Sequence, residues 1–341
     1  MNAFAPVEAL TVRLAGPEDR AAVRAFVEAD PNATPFHLPG WSEAIERGCG
    51  QPSLTLVAER GGRIAGLLPL THVCSPLFGS AIVSTGFGVE GGVLGEGADA
   101  LAEAAWHLGQ DRGCPSVELR GGPIPSGWAR KEGVYYGFAR SLPQDDEAIL
   151  KAIPRKQRAE VRRALGFGLD VTVSRDTDAH YRVYSESVRN LGTPVFPRAL
   201  FETVLDGLDA DILTVRGADG TPLASVLSLY FRGTVYPYWG GGTHEARAAR
   251  ANELMYFELM RHAARRRCTR FDFGRSKAGT GAFAYKKNWG FEPRPLVYAA
   301  KGEARETNPL SPKYRLQVAA WKKLPLWLAN RLGPPIARGL G

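Results

Sequence analysis

Cysteine is scarce: Cys49, Cys74, Cys114 and Cys268 stand far apart and form no C-x-x-C pair. That spacing argues against a disulfide framework or a cysteine-based zinc cluster, and it suits reduced thiols in a cytosol. The six histidines, His37, His72, His107, His180, His244 and His262, contain no H-E-x-x-H pair, so no metal site is expected. No apolar run reaches the ~20 residues that cross a bilayer. Glu8 stands where a secretory leader would need a basic start, so the chain is expected to be cytoplasmic. Acidic residues are outnumbered, 35 against 43 Lys and Arg, and the net charge of +8 favours an anionic partner. A phosphorylated small molecule, RNA and an acidic membrane surface all meet that description.

What is present is enough apolar sequence for two buried cores, with 44% hydrophobic residues over 341 positions. The first half reads as a helix after Gly16-Pro17-Glu18, a helix over 39–47, strands over 54–60, 63–73 and 81–87, a helix over 98–111, and strands over 116–120 and 134–142. Gly61-Gly62 marks a two-residue hairpin between the first two strands. The second half repeats this order with helices over 177–190 and 198–207 and strands over 212–216, 223–231 and 234–239. A long helix over 252–267 follows, with Met255, Leu259 and Ala263 on one stripe. Strand 270–273, a short helix 278–288 and strand 296–300 complete it. An offset of roughly 155 positions means a duplicated domain rather than a solenoid. The alternative is two unrelated α/β domains sharing an element order.

The run Phe271-Asp272-Phe273-Gly274-Arg275-Ser276, then Gly279-Thr280-Gly281 and Tyr285-Lys286-Lys287-Asn288-Trp289-Gly290-Phe291-Glu292-Pro293, resembles the C-terminal signature of FemAB-like proteins. Thr34-Pro35-Phe36-His37-Leu38-Pro39-Gly40-Trp41 extends the resemblance to the form of that family associated with exosortase (PEP-CTERM) and exopolysaccharide loci. The resemblance implies an α/β fold of two tandem acetyltransferase-like (GNAT) domains, each with a mixed sheet. Residues 1–144 and 169–302 would be the domains, 145–168 a basic linker helix and 303–341 an amphipathic tail. It implies amide formation: an aminoacyl group passes from tRNA, or an acyl group from a thioester, to an amine of a cell-envelope or exopolysaccharide precursor. The donor is then a cosubstrate, and no cofactor is permanently bound.

Acetyl-CoA enzymes of this fold hold the pyrophosphate in a glycine-containing turn before the long helix. Arg247-Ala248-Ala249-Arg250-Ala251-Asn252 lacks both glycines. A bulky residue where backbone must approach phosphate argues against ordinary acetyl-CoA binding there. Gly91-Gly92-Val93-Leu94-Gly95-Glu96-Gly97 has no basic residue and reads as a turn. No long heptad segment offers the helical arm of tRNA-using FemAB proteins.

Acyl transfer to an amine needs a neutral nucleophile and positive charge where the oxyanion forms. By the resemblance Lys286 stabilises that charge, with Tyr285 beside it. Lys286 and Lys287 read equally as a solvated helix face. Alternation in the strand places Asp272 opposite Phe271 and Phe273, either lining a cleft as a proton acceptor or pairing with Arg275. Arg275 suits a phosphate or carboxylate. Tyr238 and Trp239, in Tyr236-Pro237-Tyr238-Trp239-Gly240-Gly241-Gly242, serve as substrate walls or as core. Phe36 and His37 are candidates for a pocket between the domains. Arg155 and Arg158, in line with Arg162 on the linker helix, would hold a tRNA end or a sugar nucleotide, or else be solvated. No G-x-S-x-G elbow is present, so direct transfer without a covalent enzyme intermediate is expected. The tail from 313 to 341 mixes Trp321, Leu324, Trp327 and Leu332 with Lys322, Lys323, Arg331 and Arg338, which suits either the inner membrane face or packing on the domains. Pro325, Pro334 and Pro335 are expected to interrupt any long helix there. Two rival functions remain at this level. One is an acyl-CoA or acyl-carrier-dependent N-acyltransferase on a sugar amine; the other is a non-catalytic protein binding nucleic acid or membrane.

Overall fold

In the computed structural model, which describes residues 8–303 and 312–341, the first half runs β1 (Thr11–Leu14), α1 (Arg20–Ala29), α2 (Pro39–Cys49), β2 (Ser53–Arg60), β3 (Arg63–Ser75), β4 (Gly79–Ser84), β5 (Leu94–Gly95), α3 (Ala98–Asp111), β6 (Ser116–Arg120), β7 (Ala129–Lys131) and β8 (Tyr135–Ser141). Helices α4 (Asp146–Ala152) and α5 (Arg155–Leu165) cross the junction. The second half runs β9 (Asp170–Ser174), α6 (Thr177–Leu191), α7 (Arg198–Gly207), β10 (Ala210–Arg216), β11 (Pro222–Phe231), β12 (Thr234–Gly242), α8 (Ala251–Arg265), β13 (Arg270–Lys277), α9 (Gly281–Asn288), β14 (Pro293–Pro295) and β15 (Tyr298–Gly302). The tail forms α10 (Arg315–Trp321) and α11 (Leu326–Ala337). The third strand ends at Ser84 instead of reaching Phe87, because Phe87 takes a left-handed φ of 61° between two glycines. The strand read as 234–239 continues to Gly242, paired with β11 through its glycines.

The structure is α/β with two mixed sheets. One has the order β1-β2-β3-β4-β6-β15-β7, with β5 pairing β3; the other has β14-β8-β13-β12-β11-β10-β9. The halves exchange strands across the junction. β8 lies between β14 and β13 in the second sheet, and β15 lies between β6 and β7 in the first. Each sheet is therefore completed by the other half of the chain, and neither half closes its sheet alone.

Between the sheets lies an aromatic core. Trp41, fully buried, stacks on Trp239 at 5.9 Å and meets Phe36 edge-on at 4.9 Å. The two equivalent helices α2 and α7 approach so closely that a Cβ on Gly40 would lie 2.4 Å from the Gly207 carbonyl oxygen. That contact explains the glycine of the Pro39-Gly40-Trp41 turn: any side chain would push the halves apart.

The tail packs on the domains. Asn330 Nδ2 donates to Ser185 Oγ at 3.3 Å, the Arg338 carbonyl accepts from Gln51 Nε2 at 2.8 Å, and Ala329, Gly333 and Ala337 form its buried stripe. Pro325 caps α11, but Pro334 and Pro335 fall within its last turns without ending it, contrary to the expectation from sequence. Among the described residues no helix is long and apolar enough to cross a membrane.

Candidate active site

Strands β12 and β13 run parallel and pair only at Thr234 with Arg270 and Val235 with Phe271. Beyond that point both are deformed. Trp239 and Pro237 oppose Leu227 and Ser228, so Tyr238 is the extra residue of a β-bulge. In β13 the register with β8 breaks between Asp272 and Arg275, with Gly274 at a φ of 69°. The strands splay, and the opening is a cavity of about 320 Å³ lined by Tyr238, Trp239, Tyr256, Arg275, Tyr285 and Lys286 on one side and by Phe87 and Val89 from the first half on the other.

Lys286 is carried into this cavity by α9. Thr280 caps the helix, its Oγ1 accepting the Phe283 N–H at 3.2 Å, and Trp289 and Phe291 anchor its far end in the core. Lys286 is 9% exposed, while its neighbour Lys287 faces solvent. The solvated-face reading thus fits Lys287 only. Nζ donates to the Arg275 carbonyl at 2.9 Å and lies 5.5 Å from the ring centroids of both Phe138 and Phe273. Burial pushes its pKa down to about 7, partly opposed by the field of Asp272.

Arg275 does not pair with Asp272. Its Nη1 donates to the Tyr298 hydroxyl at 2.7 Å and its guanidinium lies 4.7 Å from the Tyr135 ring centroid, so strands β8 and β15 hold it as one edge of the cavity. Asp272 accepts the Gly274 N–H at 2.9 Å and faces a different, wider cavity of about 830 Å³. Burial raises its pKa to about 6. Of the two readings of Asp272, pairing with Arg275 is not what the structure shows, and the carboxylate lines a cavity instead.

Tyr238 and Trp239 are walls of the Lys286 cavity and part of the core at once; the Tyr238 hydroxyl donates to the Phe87 carbonyl. Tyr285 lines the cavity, its ring 5.9 Å from that of Tyr256. Phe36 is core, packed behind Tyr238 at 5.0 Å. His37 is 4% exposed and stitches a loop: Nδ1 accepts the Thr34 N–H and Nε2 lies 3.0 Å from the Gly92 carbonyl. Burial holds its pKa down to about 4, and it borders the wider cavity. Neither joins Lys286. Arg155 is exposed, and Arg158 spends its guanidinium on the carbonyls of Lys151 and Ile153. Arg158 caps the end of α4 and is absent from both cavities.

Sequence reasoning passed over Phe87, Val89 and Tyr256. The Gly86-Phe87-Gly88 triplet was the available signal for the first, since an aromatic between two glycines marks a special backbone; Tyr256 sits one step from the buried Met255 stripe, where its role could not be told from packing. The equivalent splay in the first sheet, between β4 and β6, is filled. Arg120, 6% exposed, sends Nη1 to the carbonyls of Thr85 and Gly88. Among the described residues no group of His, Cys, Asp or Glu is placed to hold a metal.

Residues 151–287, which include Lys286, match the acetyltransferase (GNAT) domain family. Among solved structures the chain is similar to FemX, with a TM-score of 0.63, 16% identity and coverage of 84% of this chain and 96% of that one. A tandem GNAT protein from the clavulanic acid biosynthesis pathway aligns with a TM-score of 0.55, 14% identity and coverage of 86% and 98%. L-PGS from Bacillus licheniformis aligns with a TM-score of 0.53, 14% identity and coverage of 96% and 98%. No curated protein matches the sequence. The likeness extends over both halves and the domain match falls on the cavity-bearing one: the chain has the fold of tandem GNAT proteins and carries an acetyltransferase (GNAT) domain in its second half.

Proposed function

We propose that the chain forms an amide by moving an aminoacyl group, or another acyl group, onto an amine of a cell-envelope or exopolysaccharide precursor, at the cavity between β12 and β13. The observation that carries this is the buried Lys286 ammonium at the stretch where strands β12 and β13 part. The acceptor nitrogen attacks the donor carbonyl carbon, and the C=O electron pair moves onto oxygen, where the Lys286 ammonium stabilises it. Collapse restores C=O, breaks the bond to the leaving oxygen or sulfur, and delivers to it the proton lost by the amine. A group titrating near 7 is matched to passing that proton at neutral pH. Phe87 and Val89 place the first half at the cavity mouth, where it shapes the choice of acceptor.

For the donor, the start of α8 favours an aminoacyl ester over a CoA thioester. Arg250 caps that helix in the left-handed region at φ 53° and its guanidinium is bound to Glu160 of α5 at 2.6 Å. Glu253 lies in the same first turn, its pKa raised by burial. Two carboxylates and an engaged arginine occupy the end where a pyrophosphate would need free N–H groups. A CoA-dependent sugar N-acyltransferase is the second reading, supported by the match to an acetyltransferase domain. Incubating the protein with labelled aminoacyl-tRNA or with labelled acetyl-CoA, each with a mixture of envelope precursors, separates the two. Amide product from the tRNA ester alone supports the first, product from the thioester alone the second, and product from neither overturns the assignment.

A further inference from the structure

We propose that the α10–α11 tail is a docking surface for an anionic phospholipid bilayer. From Lys313 to Gly341 the chain has six basic residues, Lys313, Arg315, Lys322, Lys323, Arg331 and Arg338, and no Asp or Glu. The segment therefore holds most of the chain's net charge of +8. All six are exposed, and among the described residues none has a carboxylate partner. Elsewhere the arginines are extensively paired, as Arg13, Arg198, Arg261 and Arg266 show. What sets the tail apart is that no acidic residue stands among its six cations.

Large apolar side chains stand out among these cations: Leu316 is 81% exposed, Trp327 68% and Leu332 44%. Leu191, 67% exposed, ends α6 beside them, for Gly192 abuts Val318 and Arg189 donates to the carbonyls of Lys322 and Leu324. The opposite stripe of α11, Ala329, Gly333 and Ala337, is buried against the body, so the helix is seated on the domains with Trp327 and Leu332 facing outwards. Exposed leucine and tryptophan cost free energy in water, and lysine or arginine around them fits an interface where rings enter the headgroup layer and ammonium groups meet phosphates. A nucleic acid would use the charge but not the leucines; a bilayer uses both.

The test is flotation of the full-length protein with vesicles of phosphatidylglycerol and phosphatidylcholine, or of phosphatidylcholine alone, at low and high salt. Binding is expected to the first and not the second, and to weaken with salt. Each cation at such a surface contributes about fivefold, so Lys322→Glu/Lys323→Glu is expected to lower binding more than tenfold. Trp327→Ser is expected to weaken it by a similar factor, and tryptophan emission of the wild type is expected to shift to the blue on binding. Binding to neither vesicle, or equal binding by the variants with circular dichroism unchanged, overturns the proposal. So does loss of tRNA binding by the charge variant with vesicle binding intact. Because the readout is binding, its failure leaves the assignment of acyl transfer standing.

Discussion

Replacing Lys286 by Met separates chemistry from folding. The side chain keeps its length and loses its charge, so turnover is expected to fall by about a hundred- to a thousandfold, the usual loss when one oxyanion donor is removed. Stability is expected to move the other way. Burial lowers the lysine pKa from its ordinary 10.5 to about 7, a displacement equivalent to about 5 kcal/mol against the charged form. Methionine escapes that cost but leaves the Arg275 carbonyl without its donor, a loss of about 1–3 kcal/mol. The net effect at pH 7 is a fold as stable as wild type or more so. The sign with pH follows from linkage. Between about 7 and 10.5 the unfolded lysine binds more protons than the folded one, so the wild type gains stability as pH rises and the variant does not. The variant's advantage in Tm is therefore largest at or below pH 7 and shrinks towards pH 10. Thermal unfolding across that range, beside single-turnover transfer, checks both halves. Wild-type turnover by the variant, or a Tm deficit independent of pH, refutes the reasoning.

Asp272→Asn removes a buried carboxylate whose pKa is raised to about 6, so it is expected to stabilise the fold by up to about 3 kcal/mol above pH 6, an effect that vanishes below pH 4 in denaturant titrations. Arg158→Ala is expected to cost about 1–2 kcal/mol through the lost α4 cap and to leave the KM for the donor unchanged, whereas a tRNA-binding role would raise it. Trp41→Ala opens the core between the halves and should cost about 3–5 kcal/mol in urea unfolding. Tyr238→Ala should reduce kcat/KM at least tenfold by emptying the bulge, with the fold retained by circular dichroism.

Much of the duplication was legible because turns announce themselves. Gly61-Gly62 marked where the first hairpin reverses, and the Met255, Leu259, Ala263 stripe marked the face of α8, all three being fully buried. The exchange of β8 and β15 between sheets was not legible, since strand pairing depends on long-range register that local pattern does not encode. At the site, the aromatic-Lys-Lys run singled out Lys286, and its depth came from α9 being pinned by Thr280 and Trp289. The separation of Asp272 from Arg275 followed from a backbone irregularity at Gly274, which alternation alone cannot show. Arg155 and Arg158 looked like a basic surface because a capping guanidinium and a free one have the same sequence.

The most direct measurement of the central claim is the reactivity of Lys286 towards an amine-selective reagent, followed residue by residue by mass spectrometry from pH 6 to 10, with and without acyl donor. The account predicts that Lys286 titrates near 7, well below the ordinary lysine value of 10.5, and that donor shields it. Titration of Lys286 near 10, unaffected by any donor that the protein turns over, would contradict it.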